Sequence, residues 1–583
     1  MDLSNLPYTY VDNETKLTEV LDYLSIAPVL GIDTETTGLD PLKDKIILLQ
    51  IADGENPVAV INMRIIGVER LKNLFESQNV KVFQNAKFDL KFLFVNGFNI
   101  SGPIFDTMLA AQIVRDTRGP FSVSLKNLAA FYLDTNLPKD EQKSDWGTKL
   151  TKEQIEYAAR DAAILLPLRE RLIKEIRKGN LIQVCKLEFD CLWAVVNMEL
   201  SGIKVDMEKW AKLQEKYKQE QKELSLKLQK ELGNGGVQMN IFGEELMGGI
   251  NLDSQTQIKK ALQAKGIELE STSYADLLEY KDSSEVVEWL INYRHVSKAI
   301  QGFLSPIPEW INSASGRIHS NYRQIGSQSG RFSCGDPNIQ QIPRGKDFRE
   351  CFVPEKGNKF VIADYSQIEL RVAAEIAQDE TMLQAYKKGQ DLHALTASLM
   401  ANKNILEVTK SERQAAKAVN FGLIYAMGAK GLQAYAKNVY GTDMTLQEAE
   451  LFRERFFKAY RGIARWHYNM KKQTNATETR TLSGRRCVYS ETPPLTALLN
   501  MPVQGTAADI NKKALALLVP VIKALKGKII ASVHDEIIIE VEEAKAEEAV
   551  IKLKNVMEEA GAYYLKFVPV IAETIIADSW AEK

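Results

Sequence analysis

The 583-residue chain has no run approaching the roughly 18 uninterrupted apolar residues of a membrane-spanning helix, which excludes a helical membrane protein. Cysteine is scarce. The five present (Cys185, Cys191, Cys334, Cys351 and Cys487) are odd in number and form no CxxC pair, which excludes a zinc ribbon and disfavours a disulfide framework. Reduced thiols in a cytoplasm are expected, and the acidic opening MDLSNLPYTYVDNE does not read as a signal peptide. Net charge is nearly missing too: 74 Lys and Arg against 76 Asp and Glu leave −2. Any site for a polyanion must therefore come from local clustering of cations. What is present is a globular composition, 45% hydrophobic, 26% charged and 8% aromatic, in a chain long enough for roughly three to four domains.

Residues 28–62 alternate short apolar runs (VLGID, IILLQIA, VAVI) with turns, which predicts a β-sheet, with helices following to about residue 180. In GIDTETTGLD, Asp33 and Glu35 lie two apart on a strand and so share a face. A lone DxE usually marks a solvated strand end. FQNAKFDLKFL adds Asn85 and Asp89 at helical spacing, and IEYAARDAAILL adds Tyr157 and Asp161, again four apart. Four carboxylates from three separated segments are what two-metal phosphodiester hydrolysis needs, with ions about 3.5–4 Å apart steadying the attacking and leaving oxygens. Tyr157 could then orient the attacking water.

From about residue 186 the pattern changes to long helices. CLWAVVNMELSGIKVD predicts a helix ending near Gly202 and a short extended piece. KWAKLQEKYKQEQKELSLKLQKEL reads as a solvated helix laced with i,i+4 pairs. A glycine-rich stretch (GNGG, later GG), NLDSQTQIKKALQAKGI, and STSYADLLEY with Ser271 as N-cap complete a Lys-tipped helical projection suited to gripping a duplex backbone. The segment 315–344, SGRIHSNYRQIGSQSGRFSCGDPNIQQIPR, reads as a long polar loop. Its Arg331 and Gln340 suit minor-groove edges, where acceptors look nearly alike in every base pair.

KFVIADYSQIELR delivers Asp364 at the end of an apolar strand (Phe360 to Ala363). ASVHDEIIIEV places His534, Asp535 and Glu536 at a hairpin turn between two apolar strands. An acid at each of two adjacent strand ends is the minimal cradle for two Mg²⁺ ions, which prefer carboxylates plus substrate phosphates and water. RQAAKAVNFGLIY supplies a matching helix. Arg413, Lys417, Phe421 and Tyr425 recur every fourth residue, and each such step turns about 40° past a full turn, so all four lie on one slowly drifting face roughly 18 Å long. Two cations followed by two rings could hold a triphosphate at one end and stack a base at the other; the plain alternative is an ordinary amphipathic helix.

In that order, these segments resemble the DNA polymerase I family (family A), in its Klenow-type large fragment. The first three resemble the 3′–5′ exonuclease motifs of the DEDD superfamily in its YxxxD version, and FDTMLAAQIV (Asp106, Thr107) and SLKNLAAFYL resemble its connecting helices. The resemblance implies an α/β exonuclease domain with a ribonuclease H-like mixed sheet over residues 1–185, and an α+β right-hand polymerase domain over 186–583. Within the latter, the thumb is expected at about 205–300, the palm, with an antiparallel sheet, at about 186–204, 301–372 and 492–583, and the fingers at about 373–491. The 5′-nuclease domain common at the front of bacterial members has no room here. The implied activity is template-directed DNA synthesis from dNTPs on primer-template DNA, with 3′–5′ proofreading, by a monomer with no membrane partner. Two Mg²⁺ ions are expected in the polymerase site and two divalent ions in the exonuclease site, with Mn²⁺ as a substitute.

The resemblance also carries roles residue by residue. Asp364, Asp535 and the Tyr365 carbonyl match metal ligands, and Glu536 matches the acid beside them. Asp33, Glu35, Asp89 and Asp161 match the exonuclease ligands, with Tyr157 as their companion. Arg413, Lys417 and His393 match triphosphate contacts, Lys417 also protonating the leaving pyrophosphate; Gln367 lies in the same nucleotide-binding group. Phe421 matches the ring on the incoming sugar, Tyr425 the ring near the templating base, and Glu369 the steric gate against a ribose 2′-hydroxyl. Arg331, Asn338, Gln340, Asn500, Gln504 and His534 match DNA contacts. Two departures stand out: Ala426 where the family usually has Gly, and Thr496 where many members have Arg. Two rival readings are a nuclease-dominated repair enzyme and a non-catalytic DNA-binding replication factor; the intact carboxylates argue against the second.

Overall fold

Every residue of the strands Ile46–Ala52 and Val58–Asn62 is buried, so both faces of the sheet they form are covered. They sit in a mixed six-stranded sheet ordered Tyr8–Val11, Val58–Asn62, Ile46–Ala52, Val29–Thr36, Val80–Phe83, Ile104–Asp106. The helices Glu14–Leu24 and Ala86–Val95 pack on one face through Leu17, Val20, Leu90 and Leu93. Helix Lys152–Lys178 packs on the other through Ala158, Ala159 and Ala162. Its small residues let it come close: a Cβ on Gly31 would lie 2.8 Å from the Ala162 carbonyl. The sheet expected over residues 28–62 is therefore wider than the sequence pattern suggested. Three short strands outside that window, too brief to show periodicity, complete it.

The computed structural model describes residues 6–115, 122–137, 144–233, 237–239, 245–247, 249–473 and 477–582. The chain divides into two compact units, one of Met1–Gly202, Ser320–Gln340 and Gly357–Ile576, the other of Ile203–His319, Gln341–Lys356 and Ala577–Lys583. In the second, helices Met207–Leu232, Gln255–Ala264 and Glu285–Ala299 bury Leu228, Ile258, Leu262, Val287 and Leu290. The glycine-rich stretch between the first two lies largely outside the described residues. The cap of helix Tyr274–Leu278 is Ser273 rather than Ser271; the Ser271 hydroxyl bonds Asp276 and so braces the turn from outside. The polar segment 315–344 is not one loop either. It holds the strand Arg317–Ile318 and, in the first unit, the hairpin Asn321–Arg323 with Ser333–Gly335.

The first unit contains a second sheet of four strands, ordered Lys528–Val533, Glu536–Glu542, Asn358–Tyr365, Ala572–Ala577. Its interior strands read FVIA and IIIEV, the β-branched and aromatic residues that suit a pleated, doubly covered surface. Below it, helices Ile182–Ser201 and Leu495–Leu525 meet at a fully buried ionic cluster. Glu188 accepts from Lys512 (2.5 Å), from Gln324 (2.6 Å) and from Arg485. Arg485 also donates to Asp509 (2.8 Å), which accepts from Thr481 and Ser483. Burial alone would raise the Glu188 pKa, but the charges of Lys512 and Arg485 outweigh it and hold the carboxyl below its usual range. Removing one member strands the others in low dielectric. Glu188→Gln is expected to destabilise the protein by about 3–5 kcal/mol, read as a lower guanidinium midpoint, and adding Lys512→Met to it should restore part of the loss.

Candidate active sites

The first acidic site is built by three elements. The strand Val29–Thr36 presents Asp33 and Glu35 on the face covered by helix Lys152–Lys178, which brings Tyr157 and Asp161 one turn apart. Asp89 enters from helix Ala86–Val95 on the other side, its carboxylate accepting from the Thr34 hydroxyl at 2.6 Å. Asn85 is not on that helix face. It is the N-cap, with φ 60°, and its N–H and that of Ala86 donate to Asp106, which also caps helix Thr107–Val114. Asp106 thereby joins two helix starts behind Asp89, a role that its place in FDTM did not reveal.

The four carboxylates are close enough to repel one another. Burial, then the charges of Asp89, Glu35 and Asp161, push the Asp33 pKa well up. Burial, then Asp161 and Asp89, does the same to Glu35. Burial lifts Asp89 to about 7 against the Thr34 hydrogen bond, and Asp161 to about 6 against the hydrogen bond from Tyr157. Such a set of hard, mutually repelling oxygens suits divalent cations. Among the described residues no group of three or more His, Cys, Asp or Glu side chains is already arranged to hold an ion.

The second acidic site lies at the end of the four-stranded sheet. Asp364 pairs in register with Glu536, and the Tyr365 N–H donates to the Asp535 carbonyl at 3.4 Å. The two aspartates thus leave neighbouring strand ends. His534 and Asp535 form a two-residue turn, His534 with φ 59°, and Glu536 is buried as the first residue of its strand. Asn511 braces the turn from helix Leu495–Leu525, donating to Ser532 Oγ at 2.8 Å; nothing in its sequence context marked it. The Tyr365 side chain is buried with its hydroxyl on the Met557 carbonyl, which leaves only its main chain to face the acids. Gln340 donates to the Ser532 carbonyl at 3.1 Å, and Asn338 accepts from the Gln340 N–H at 3.1 Å.

Helix Lys410–Ile424 begins with a Thr409–Glu412 capping box and buries Ala416, Val419, Asn420 and Leu423. Arg413, Lys417 and Phe421 all fall on its half-exposed side, and Tyr425 follows as C-cap rather than as the last helical residue. Arg413 donates twice to Asp391 (2.9 and 2.6 Å), the N-cap of helix Leu392–Ala401. His393 on that helix packs against Phe421 at 5.8 Å, and its Nδ1 lies 2.9 Å from Asn420 Nδ2. Burial drives the His393 pKa down to about 4, so the ring is neutral. The Tyr425 hydroxyl donates to Glu369 at 2.6 Å, and Arg331 bonds the other oxygen of the same carboxylate. Gln367 starts the Glu369 helix with φ 55° and accepts from the Tyr386 hydroxyl at 3.3 Å. Asn500 and Gln504 lie one turn apart and half-exposed on helix Leu495–Leu525, and Asn500 Oδ1 has no hydrogen-bond partner among the described residues. Thr496 is exposed one turn before them.

Residues 8–177 match the family model "3'-5' exonuclease", and residues 208–582 match "DNA polymerase family A". The second match alone covers more than half of the sequence. The chain belongs to DNA polymerase family A. It is a DNA-directed DNA polymerase that carries a 3′–5′ exonuclease domain. It is 35% identical to the DNA polymerase I of Aquifex aeolicus, over 99% of this chain and 100% of that one. Identity is 30% to the DNA polymerase I of Chloroflexus aurantiacus and 31% to that of Borreliella burgdorferi, of which the chain spans 64% and 65%. Among solved structures, the POL domain of Pol1 from M. smegmatis, in complex with DNA primer-template and dNTP, superposes with a TM-score of 0.84 at 25% identity, covering 98% of this chain and 99% of that one.

The family's usual glycine after the fingers tyrosine has a local reason. Met427 N–H bonds the Gly422 carbonyl (3.0 Å) and Ala426 N–H that of Leu423 (3.1 Å), a Schellman end whose C′ residue, Ala426, has φ 60°. A left-handed residue with a Cβ costs roughly 1–2 kcal/mol, part of which the more flexible unfolded chain of a glycine variant returns. Ala426→Gly is accordingly expected to stabilise the protein by about 0.5–1 kcal/mol in denaturant titrations. The raised pKa values of the exonuclease acids make a second test. Without metal, the native state holds more protons than the unfolded chain between the usual carboxylate range and about 7, so stability falls as pH rises through that window. In chelator, Asp33→Asn should raise Tm more at about pH 8 than at about pH 5.5, where the wild-type acids already carry protons.

Proposed function

We propose that this polymerase extends a primer 3′-hydroxyl at Asp364 and Asp535 and removes misincorporated 3′ nucleotides at Asp33, Glu35, Asp89 and Asp161. The observation that carries the reading is Glu369. It stands one turn past the Asp364 strand end and holds Tyr425 by its hydroxyl and Arg331 by its guanidinium, so the acids and the cation-and-ring helix face one another across a single carboxylate. Residues 1–185 are read as the exonuclease, and residues 205–300 as the thumb, within a separately packed unit that supports the reading.

Divalent ions, taken as Mg²⁺, held by Asp364, Asp535 and the Tyr365 carbonyl would supply charge neutralisation to the triphosphate and a lower pKa to the primer hydroxyl. Glu536 supports that pair from the rung it shares with Asp364. Arg413 and Lys417 bind the triphosphate, with neutral His393 as a hydrogen-bond donor, and Lys417 gives a proton to departing pyrophosphate. Asp391 keeps the Arg413 guanidinium oriented until then. Phe421, fixed against His393, packs on the sugar, while Glu369 crowds a 2′-hydroxyl and Gln367 shapes the pocket floor. Tyr425 borders the templating base. Arg331, Asn338, Gln340, Asn500, Gln504 and His534 contact the primer-template, and Thr496 supplies one phosphate contact fewer than an arginine would. In the exonuclease, the four acids would hold the same class of ion, which would supply charge neutralisation there, and Tyr157 orients the attacking water. A monomer in the cytoplasm is the simplest setting; among the described residues no helix is long and apolar enough to cross a membrane.

A labelled primer-template assay separates the two chemistries. Asp535→Asn is expected to abolish extension and spare 3′–5′ degradation, and Asp33→Ala with Glu35→Ala to do the reverse; extension by Asp535→Asn would refute the assignment. Glu369→Ala should raise ribonucleotide incorporation by about 10- to 100-fold relative to dNTP, and an unchanged ratio would remove Glu369 from the gate.

A further inference from the structure

Gln50, in the middle of the Ile46–Ala52 strand, is 0% exposed, and neither its Oε1 nor its Nε2 has a hydrogen-bond partner among the described residues. Interiors rarely tolerate this, because a buried amide that loses its water without a replacement is costly. Its position explains why it could be kept. Gln50 is the direct cross-strand partner of Asp33. Antiparallel partners share a face, and their Cβ atoms lie roughly 4.5–5.5 Å apart. That face is the one packed by helix Lys152–Lys178: Leu48 and Ala52, two residues either side of Gln50, bury against Ala158, Ala159 and Ala162. Asp161 and Tyr157 stand on the same helix. The other side of the strand, through Leu49 and Ile51, faces the Glu14–Leu24 and Ala86–Val95 helices. The amide thus lies buried on a largely apolar face, and its cross-strand neighbour there is Asp33.

We propose that Gln50 is a positioning residue of the exonuclease site, its amide N–H placed to hold the Asp33 carboxylate in the orientation that an ion there would need. The proposal rests on the reading of Asp33 as an ion ligand. A metal-bound carboxylate is regularly held by a hydrogen bond from behind, and losing such a partner costs about 10- to 100-fold in metal affinity or activity. The unmatched amide is meanwhile a local cost to stability.

Function and structure make opposite demands here, which gives a clean test on the full chain. Gln50→Leu and Gln50→Met keep the side-chain volume and remove the orphaned polar atoms. Calorimetry in chelator is expected to show a Tm equal to or above that of the wild type. The Mg²⁺ concentration for half-maximal exonuclease should rise, and the Mg²⁺-induced gain in Tm shrink, each by about 10- to 100-fold in apparent affinity. Primer extension should stay at the wild-type rate and serve as the internal control. A purely structural glutamine predicts a lower Tm alongside any loss of exonuclease, and that result would overturn the proposal. So would unchanged exonuclease, or a slower rate with an unchanged Mg²⁺ requirement. Asp33→Ala run in parallel keeps two failures apart. If it retains degradation, the reading of the acidic site is at fault; if it loses degradation while both Gln50 variants keep theirs, Gln50 is.

Discussion

The polymerase site depends on the register of one strand pair. Seven rungs join Asn358–Asp364 to Glu542–Glu536, and the last of them sets Asp364 opposite Glu536, one residue from Asp535. Strand side chains alternate faces, so a slip of a single residue would turn Asp364 into the core and bring an alanine to the strand end. The register is secured by what each strand buries. Phe360, Val361, Ile362 and Ala363 are all at most 1% exposed, as are Ile537, Ile538 and Ile539, so no shifted pairing keeps the same residues dry. The hairpin turn is short enough to transmit that precision, and Asn511 and Gln340 tie its stem to a helix and to the entering segment.

Much of this geometry could be read from periodicity. Asp33 and Glu35 at spacing two, Tyr157 and Asp161 at spacing four, and the four-residue rhythm from Arg413 to Tyr425 each specify a face of a regular element. The structure assembles those faces because the apolar residues beside them specify which side is buried. What escaped was governed by something other than period. Asn85 adopts a left-handed backbone, and its helix starts one residue after it, because Asp106 from a distant strand captures the N–H groups there. Ser273 rather than Ser271 caps its helix, since both serines satisfy the local rule and only the Asp276 N–H, which donates to Ser273 Oγ, decides between them. The strands of residues 317–335 are two or three residues long, too short for a period to show, so composition made them look like a loop although Ile318, Tyr322 and Cys334 are buried.

Gln50, Asp391 and Asn511 form a second class of omission. Each takes its importance from a partner far away in sequence. Asp391 stands two residues from His393, but its ion pair is to Arg413, on another helix. Gln50 stands in a run that reads as core, and the residue that gives it meaning lies across the sheet. A polar residue inside an apolar run is the one signal that sequence does offer in such cases. It marks a place where burial is opposed by chemistry, without saying which chemistry.

The two acidic sites resolve that opposition differently. In the exonuclease the carboxylates are brought together inside a covered sheet, and burial and mutual repulsion both hold them toward the protonated state. On the proposed reading a divalent ion would relieve that repulsion, which ties its affinity to the packing of Lys152–Lys178 on Gly31 and its neighbours. In the polymerase, Asp364 and Asp535 stand at strand ends, half-exposed as Asp33, Glu35 and Asp161 are, and Glu369 nearby in sequence holds Tyr425 and Arg331. There the stored cost is conformational. Gln367, His534 and Ala426 all hold left-handed backbones within the elements that frame the nucleotide, each a place where the chain is kept out of its relaxed geometry by its surroundings. An acid cluster strained by charge can wait for an ion alone. A backbone held left-handed is relieved instead by a residue that adopts that conformation freely, as glycine would at Ala426.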